Sequence, residues 1–141
     1  FGMHHHPPIA EFAKGASLLI HDGARPLAAP SLVRRIVETA ERDGGALPYL
    51  ESAALAGTAS SDALVRVQTP QVFRAQPLLA AYRTAASEGF EGSDTAMCLE
   101  RYAPELRVTL VRGSAQNIKV TYPQDLVMAE HILAAQDFEL R

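Results

Sequence analysis

Apolar residues recur along this chain in two rhythms. Short runs such as Ser17-Leu18-Leu19-Ile20 and Ala46-Leu47-Pro48-Tyr49-Leu50 have the length of strands, whereas Leu32, Val33, Ile36, Val37 and Ala40 recur at helical spacing. Ser17 to Ile20 predicts a short buried strand that ends at the polar turn His21 to Pro26. Pro30 and Ser31 can open the helix that follows, and Gly44-Gly45 stops it. Ala46 to Leu50 predicts the next strand. This order of strand, helix and strand predicts a parallel pair with a right-handed crossover.

Farther along, Glu51 to Ser61 is small and polar and reads as a loop or short excursion. Leu64 to Val67 is strand-like, ahead of a Gln68-Thr69-Pro70-Gln71 turn. Gln76 to Ser87 predicts a helix with Leu78, Leu79, Tyr82 and Ala85 on one face. After a Gly89 to Gly92 loop, Ser93 or Asp94 can cap a helix through Tyr102. Arg107 to Val111 and Ile118 to Thr121 predict two more short strands. Pro123 suits the first turn of a final helix through Ala135, with Leu126, Val127, Ala129, Ile132 and Leu133 facing inward. Residues 1–15 stand apart as an atypical segment. Their His4-His5-His6 before two prolines reads as a tag remnant or loop rather than a metal site. Residues 16–141 form one α/β domain with no internal repeat and no linker.

Composition narrows the class. The 141 residues fit one domain on a prior of roughly 100–200 residues each. At 48% hydrophobic and 21% charged the chain can bury a core and is not a disordered sequence. A net charge of −3 argues against binding nucleic acid by phosphate neutralisation. No apolar run approaches the roughly 18–20 residues of a membrane span, and Phe1 to Gly15 has no secretory pattern. The expectation is a soluble cytoplasmic protein. Cys98, the one cysteine, lies on the apolar side of a helix with no basic partner beside it and reads as a buried structural thiol.

Four polar motifs carry the candidate chemistry: His21-Asp22-Gly23-Ala24-Arg25-Pro26, Gln68-Thr69-Pro70-Gln71, Gly92-Ser93-Asp94-Thr95-Ala96 and Asn117-Ile118-Lys119-Val120-Thr121. The first and last abut strand-like runs, where open α/β folds place ligand-binding groups. Asp22 can hold Mg²⁺ or hydroxyls and Arg25 a phosphate, in a turn made permissive by Gly23; the pair can equally do no more than fix the turn. Thr69 before Pro70 is biased to extended backbone, its hydroxyl either in a cleft or in an ordinary turn. Ser93 and Asp94 form a helix cap, which is also an anion site. Lys119 interrupts an apolar strand and is either solvated or aimed at a phosphate. Asp125 sits in a first helical turn, where its charge suits the helix dipole, and reads as structural. His21 and His131 are isolated and read as packed or exposed, not as catalytic bases. Phosphate-loop, dinucleotide, paired-cysteine and zinc-protease motifs are all absent from the sequence.

Singly weak, these motifs are specific in combination. From Leu18 onward the chain resembles the 2-C-methyl-D-erythritol 4-phosphate cytidylyltransferase family, over roughly residues 17–135, about the later half of a typical member. The resemblance implies a Rossmann-like three-layer nucleotidyltransferase fold with a mostly parallel central sheet. It implies transfer of CMP from CTP to a polyol phosphate with Mg²⁺ as cofactor, and release of pyrophosphate. It places Asp22 by the substrate and the nucleotide ribose, Gly23 at the nucleotide, Arg25, Thr69 and Ser93 at the methylerythritol phosphate, and Lys119 near the reacting centre. Three departures stand beside it. Nothing in Phe1 to Gly15 matches the family's glycine-rich triphosphate loop. Ser60 and Ser61 fall where the family carries an Asp-Arg pair, and the nearest arginine, Arg66, fits a different, less functional position. Glu51 to Ala63 is shorter than the arm that family homodimers exchange. The same motifs admit two other readings: the same chemistry on another polyol phosphate such as ribitol 5-phosphate, and an inactive nucleotidyltransferase-like binding module.

Overall fold

The computed structural model describes residues 14–51, 66–90 and 95–139. The predicted excursion after Glu51, the first half of the Leu64 to Val67 strand, and Ser93 with Asp94 lie outside the described residues. So does the segment 1–13.

Among the described residues five strands form one sheet: β1 (Ser17–Ile20), β2 (Gly45–Leu50), β3 (Arg66–Val67), β4 (Gln71–Arg74) and β5 (Val108–Arg112). The helices described with them are α1 (Pro30–Asp43), α2 (Ala75–Ser87), α3 (Thr95–Tyr102) and α4 (Pro123–Glu139). The strand–helix–strand unit β1–α1–β2 forms as expected, but β1 and β2 do not pair. β4 lies between them, antiparallel to both, with Leu18 on one side of Phe73 and Gly45 on the other. β5 runs parallel to β2, from Gly45↔Val108 to Tyr49↔Arg112. Thus β1, β2 and β5 share one direction, yet most ladders are antiparallel because β4 and β3 run against them. Gln71 opens β4 rather than closing a turn, a strand too short and too close to Pro70 to show in the apolar pattern.

Layering follows from alternation along β2 and β4, where successive side chains point to opposite faces. Ala46 and Val72 face α1 and pack with Leu32, Ile36 and Ala40. Leu47 and Phe73 face the other way, into a core with Leu78, Ala81, Ala85, Cys98, Leu99 and Ala103 from α2, α3 and the turn after α3. The result is helix, sheet, helix. Cys98 is buried and free, as the apolar setting implied, and burial pushes its thiol pKa up. Gly44 ends α1 at φ 109°, a conformation that side chains resist, with its N–H on the Ala40 carbonyl.

β3 and β4 are two ends of one antiparallel partner of β2. Between the pairs Tyr49↔Val67 and Ala46↔Val72, β2 advances three residues while the opposing segment advances five. Gln68, Thr69 and Pro70 absorb the difference as a bulge, with a cis Thr69–Pro70 bond. The bulge lifts Thr69 out of the ladder.

Three expectations of packing fail. β1 is not buried: Ser17, Leu18 and Leu19 are all exposed. Ile118 to Thr121 forms no ladder and is loop, tied to the turn after β1 by the Val120 N–H on the Ala24 carbonyl. In α4, Leu126, Val127 and Leu133 face solvent, whereas Ala129 is buried. Apolar residues occur on every side of that helix, so spacing could not select an inward face. Its start is well determined: Asp125 accepts the N–H groups of Thr121 and Tyr122, both at 2.8 Å. Those bonds hold its pKa below the ordinary value, and the structural role read for Asp125 stands.

Candidate functional site

Three loops meet at one end of the sheet: the turn 21–26 after β1, the bulge 68–70, and the loop 113–121 after β5. Each is too short to fix its own shape, and hydrogen bonds between them do so.

At the centre is the main-chain carbonyl of Asn117. It accepts Nη1 of Arg25 at 2.8 Å and Nε2 of Gln68 at 3.0 Å. Gln68 is buried. Its amide also donates to the Ser114 carbonyl and accepts the Ser114 N–H. Asn117 is fully buried, and its side-chain amide donates to the Thr69 carbonyl at 2.8 Å. Gly113 is required beside them, since a Cβ there would overlap the Gln68 amide and crowd the Tyr49 carbonyl. Two buried atoms, Arg25 Nε and Asn117 Oδ1, make no hydrogen bond among the described residues.

A directed chain of bonds runs above this knot. His21 Nε2 contacts the Arg25 carbonyl at 3.0 Å, and a carbonyl only accepts, so Nε2 carries the proton. In the neutral ring Nδ1 then accepts the Thr69 hydroxyl at 3.1 Å. The same hydroxyl oxygen accepts the Asp22 N–H at 2.9 Å. His21 is therefore not isolated, although it is exposed: it orients Thr69.

Asp22 and Lys119 form an ion pair of 2.9 Å, with side chains 30% and 52% exposed. Asp22 also accepts the Ala24 N–H at 3.0 Å. These contacts lower the Asp22 pKa, the Ala24 N–H first and the Lys119 bond next. Arg25 is not the partner of Asp22 in an ion pair; its head group is turned to Asn117. Burial pushes the Arg25 pKa down, Asp22 opposes this, and the positive charge of Arg66 adds to it.

The structure thus joins Asp22, Arg25, Thr69 and Lys119 in one cluster. Gly23 is exposed beside them with open space above its Cα, and its φ is not positive, so the turn does not need glycine's freedom. Ser93 lies outside the described residues. Sequence reading named no role for Gln68, Asn117, His21 or Arg66. The first three stood within the motifs, each with an apolar residue on one side only: Val67 by Gln68, Ile118 by Asn117 and Ile20 by His21. Among the described residues no three His, Cys, Asp or Glu side chains converge on a metal position. Both Asp22 oxygens are already engaged, so these residues do not by themselves build a Mg²⁺ centre.

The three-layer α/β fold, with cations and a hydroxyl gathered on loops at one sheet end, is that of a nucleotidyltransferase. The family model described as 2-C-methyl-D-erythritol 4-phosphate cytidylyltransferase matches residues 9–135. Relatives of that name are 39% identical over 132 residues in Bacillus velezensis and 43% identical over 130 residues in Burkholderia vietnamiensis. These alignments cover 87% and 84% of this chain but 56% and 54% of the relatives, so the chain spans about half their length. The crystal structure of the enzyme of that name from Thermus thermophilus superposes with a TM-score of 0.72 at 35% identity, covering 89% of this chain and 67% of that one. The chain belongs to the 2-C-methyl-D-erythritol 4-phosphate cytidylyltransferase family.

Proposed function

We propose that this chain carries the acceptor side of a reaction that transfers CMP from CTP to 2-C-methyl-D-erythritol 4-phosphate and releases pyrophosphate. The observation that carries the reading is the convergence of Asp22, Arg25, Thr69 and Lys119 from three distant segments. In the reaction an oxygen of the acceptor phosphate attacks the α-phosphorus of CTP. One P–O bond forms, the bond to the β-phosphate breaks, and pyrophosphate leaves.

Lys119 and Arg25 supply fixed positive charge where negative charge accumulates, the main lever in such transfers. Thr69, its hydrogen given to His21 and its oxygen bonded by the Asp22 N–H, keeps one lone pair that can accept a hydroxyl of the polyol. Asp22 holds Lys119 in place and lies where a ribose hydroxyl would approach, and the open backbone at Gly23 admits the nucleotide. Mg²⁺, when bound with the CTP phosphates, would offset their charge. Among the described residues no helix is long and apolar enough to cross a membrane. A cytoplasmic setting and a homodimeric assembly complete the proposal.

The test is pyrophosphate release from CTP on addition of methylerythritol phosphate, with ribitol 5-phosphate as competitor, in the protein that carries this chain. Release that depends on methylerythritol phosphate supports the reading. Preference for ribitol phosphate would change the acceptor, and absence of both release and CTP binding would make the chain a binding module.

A further inference from the structure

His21 is an exposed side chain of the cluster with no part in the transfer itself. Its two ring nitrogens meet partners of opposite kind. Nε2 lies 3.0 Å from the Arg25 carbonyl, which only accepts, and Nδ1 lies 3.1 Å from the Thr69 hydroxyl. Neither partner is free to drift. The turn that carries the carbonyl is closed by the Arg25 N–H on the Asp22 carbonyl at 2.9 Å. Thr69 is held by the Asn117 side-chain amide, which donates to the Thr69 carbonyl at 2.8 Å. The ring thus sits between two anchored groups, and its tautomer follows from the carbonyl.

The consequence falls on Thr69. A hydroxyl has one hydrogen and two lone pairs. The hydrogen goes to Nδ1, and one lone pair takes the Asp22 N–H at 2.9 Å. What remains at Oγ1 is an acceptor. A ligand atom that meets it must bring a hydrogen, as an alcohol does. An ionised phosphate oxygen brings none, so lone pairs would face each other, stripped of water and without a bond. Were Nδ1 the protonated nitrogen, the pattern would invert. Two N–H groups would fill Oγ1, and its hydrogen would point outward to a phosphate.

We propose that His21 is a positioning residue that makes Thr69 an acceptor-only group, and so gives the site its demand for a free hydroxyl on the molecule whose phosphate meets Lys119 and Arg25. This rests on the acceptor reading above and adds an orientation to it: hydroxyl at Thr69, phosphate at the cations. A phosphate ester without hydroxyls gains nothing from Thr69.

Two substitutions separate this role from mere bracing of the turn. Counted in bonds from Cβ, the Asn amide atoms match His Nδ1 and the Gln amide atoms match His Nε2. H21N therefore keeps an acceptor for the Thr69 hydroxyl, and H21Q keeps a donor for the Arg25 carbonyl. Pyrophosphate release is measured in the protein that carries this chain, with thermal melting to check each fold. Expected in H21Q is a rise of about threefold to tenfold in KM for methylerythritol phosphate, the scale of one hydrogen bond. KM for CTP should not change, and H21N should stay near wild type. In a T69V background H21Q should add nothing. H21N impaired with H21Q normal overturns the proposal, as does an equal loss in both. Nitrogen-15 correlation spectra of the ring report its tautomer without substrate. Protonated Nε2 with bare Nδ1 at neutral pH is expected, and a protonated Nδ1 overturns the proposal. Absence of turnover with any polyol phosphate, in a protein whose His21 shows the expected tautomer, sinks the acceptor reading and the hydroxyl placed at Thr69 with it.

Discussion

Lys119 and Asp22 lie 2.9 Å apart at the ends of two loops that share no secondary structure. Both groups are partly exposed, so the pair adds little to stability by itself, about 0–1 kcal/mol. Its effect is positional: in the proposed reaction the ammonium is held where the acceptor phosphate would arrive. Lys119→Ala should lower pyrophosphate release by about 100-fold or more, the scale for losing a preorganised charge, with Lys119→Arg partly active. Steady-state kinetics would show this, and an unchanged kcat would remove Lys119 from the reacting centre.

The Gln68 amide makes three hydrogen bonds from a buried position. Gln68→Ala leaves Ser114 without its partner, at a cost of about 1–3 kcal/mol. Gly113→Ala drives a methyl group into the same amide and should cost a similar amount, about 1–3 kcal/mol. Urea unfolding of the two single variants and the double variant should give losses that do not add, because both break one latch. Additive losses would mean that Gly113 and Gln68 act separately.

Asp43 closes α1 with a carboxylate that takes bonds from Arg42 and from Thr109 Oγ1 at 2.8 Å. The Arg42 bond first, then the Thr109 bond, lowers its pKa to about 2. A depressed carboxylate pKa favours the fold above its unfolded value and loses that contribution as pH falls toward the folded one. Wild-type stability should therefore decline from about pH 4 to pH 2 by a component that Asp43→Asn lacks. Urea midpoints across that range would report it. Parallel curves for the two proteins would rule the contribution out.

Phe73 is fully buried and joins the sheet to α2 and α3. Phe73→Ala should destabilise the chain by about 3–5 kcal/mol, measured by chemical unfolding. A cost below about 1 kcal/mol would mean that this face of the sheet is not closely packed.

Periodicity served well where one face of an element is buried. The apolar stripe Leu32, Ile36 and Ala40 located α1, and Leu78 with Ala85 located α2. It failed where burial is not periodic. β4 has four residues behind a proline, and α4 has apolar residues all round. Pairing failed for a different reason: the order β1, α1, β2 is compatible with adjacent strands or with a later strand inserted between them, and only β4's own contacts decide. Asp22, Arg25, Thr69 and Lys119 were legible because they stood in motifs of a known family. Their supports were not, since Gln68, Asn117 and His21 act through contacts 46 to 49 residues away in sequence.

The junction of the three loops is a backbone oxygen. Arg25 and Gln68 both close on the Asn117 carbonyl, an atom that every amino acid at that position would supply. Substitution at 117 can take away the amide that grips Thr69, yet it leaves the crossing point itself intact. The approach of the loops thus depends on which side chains stand at 25 and 68, while position 117 gives the crossing its main chain alone.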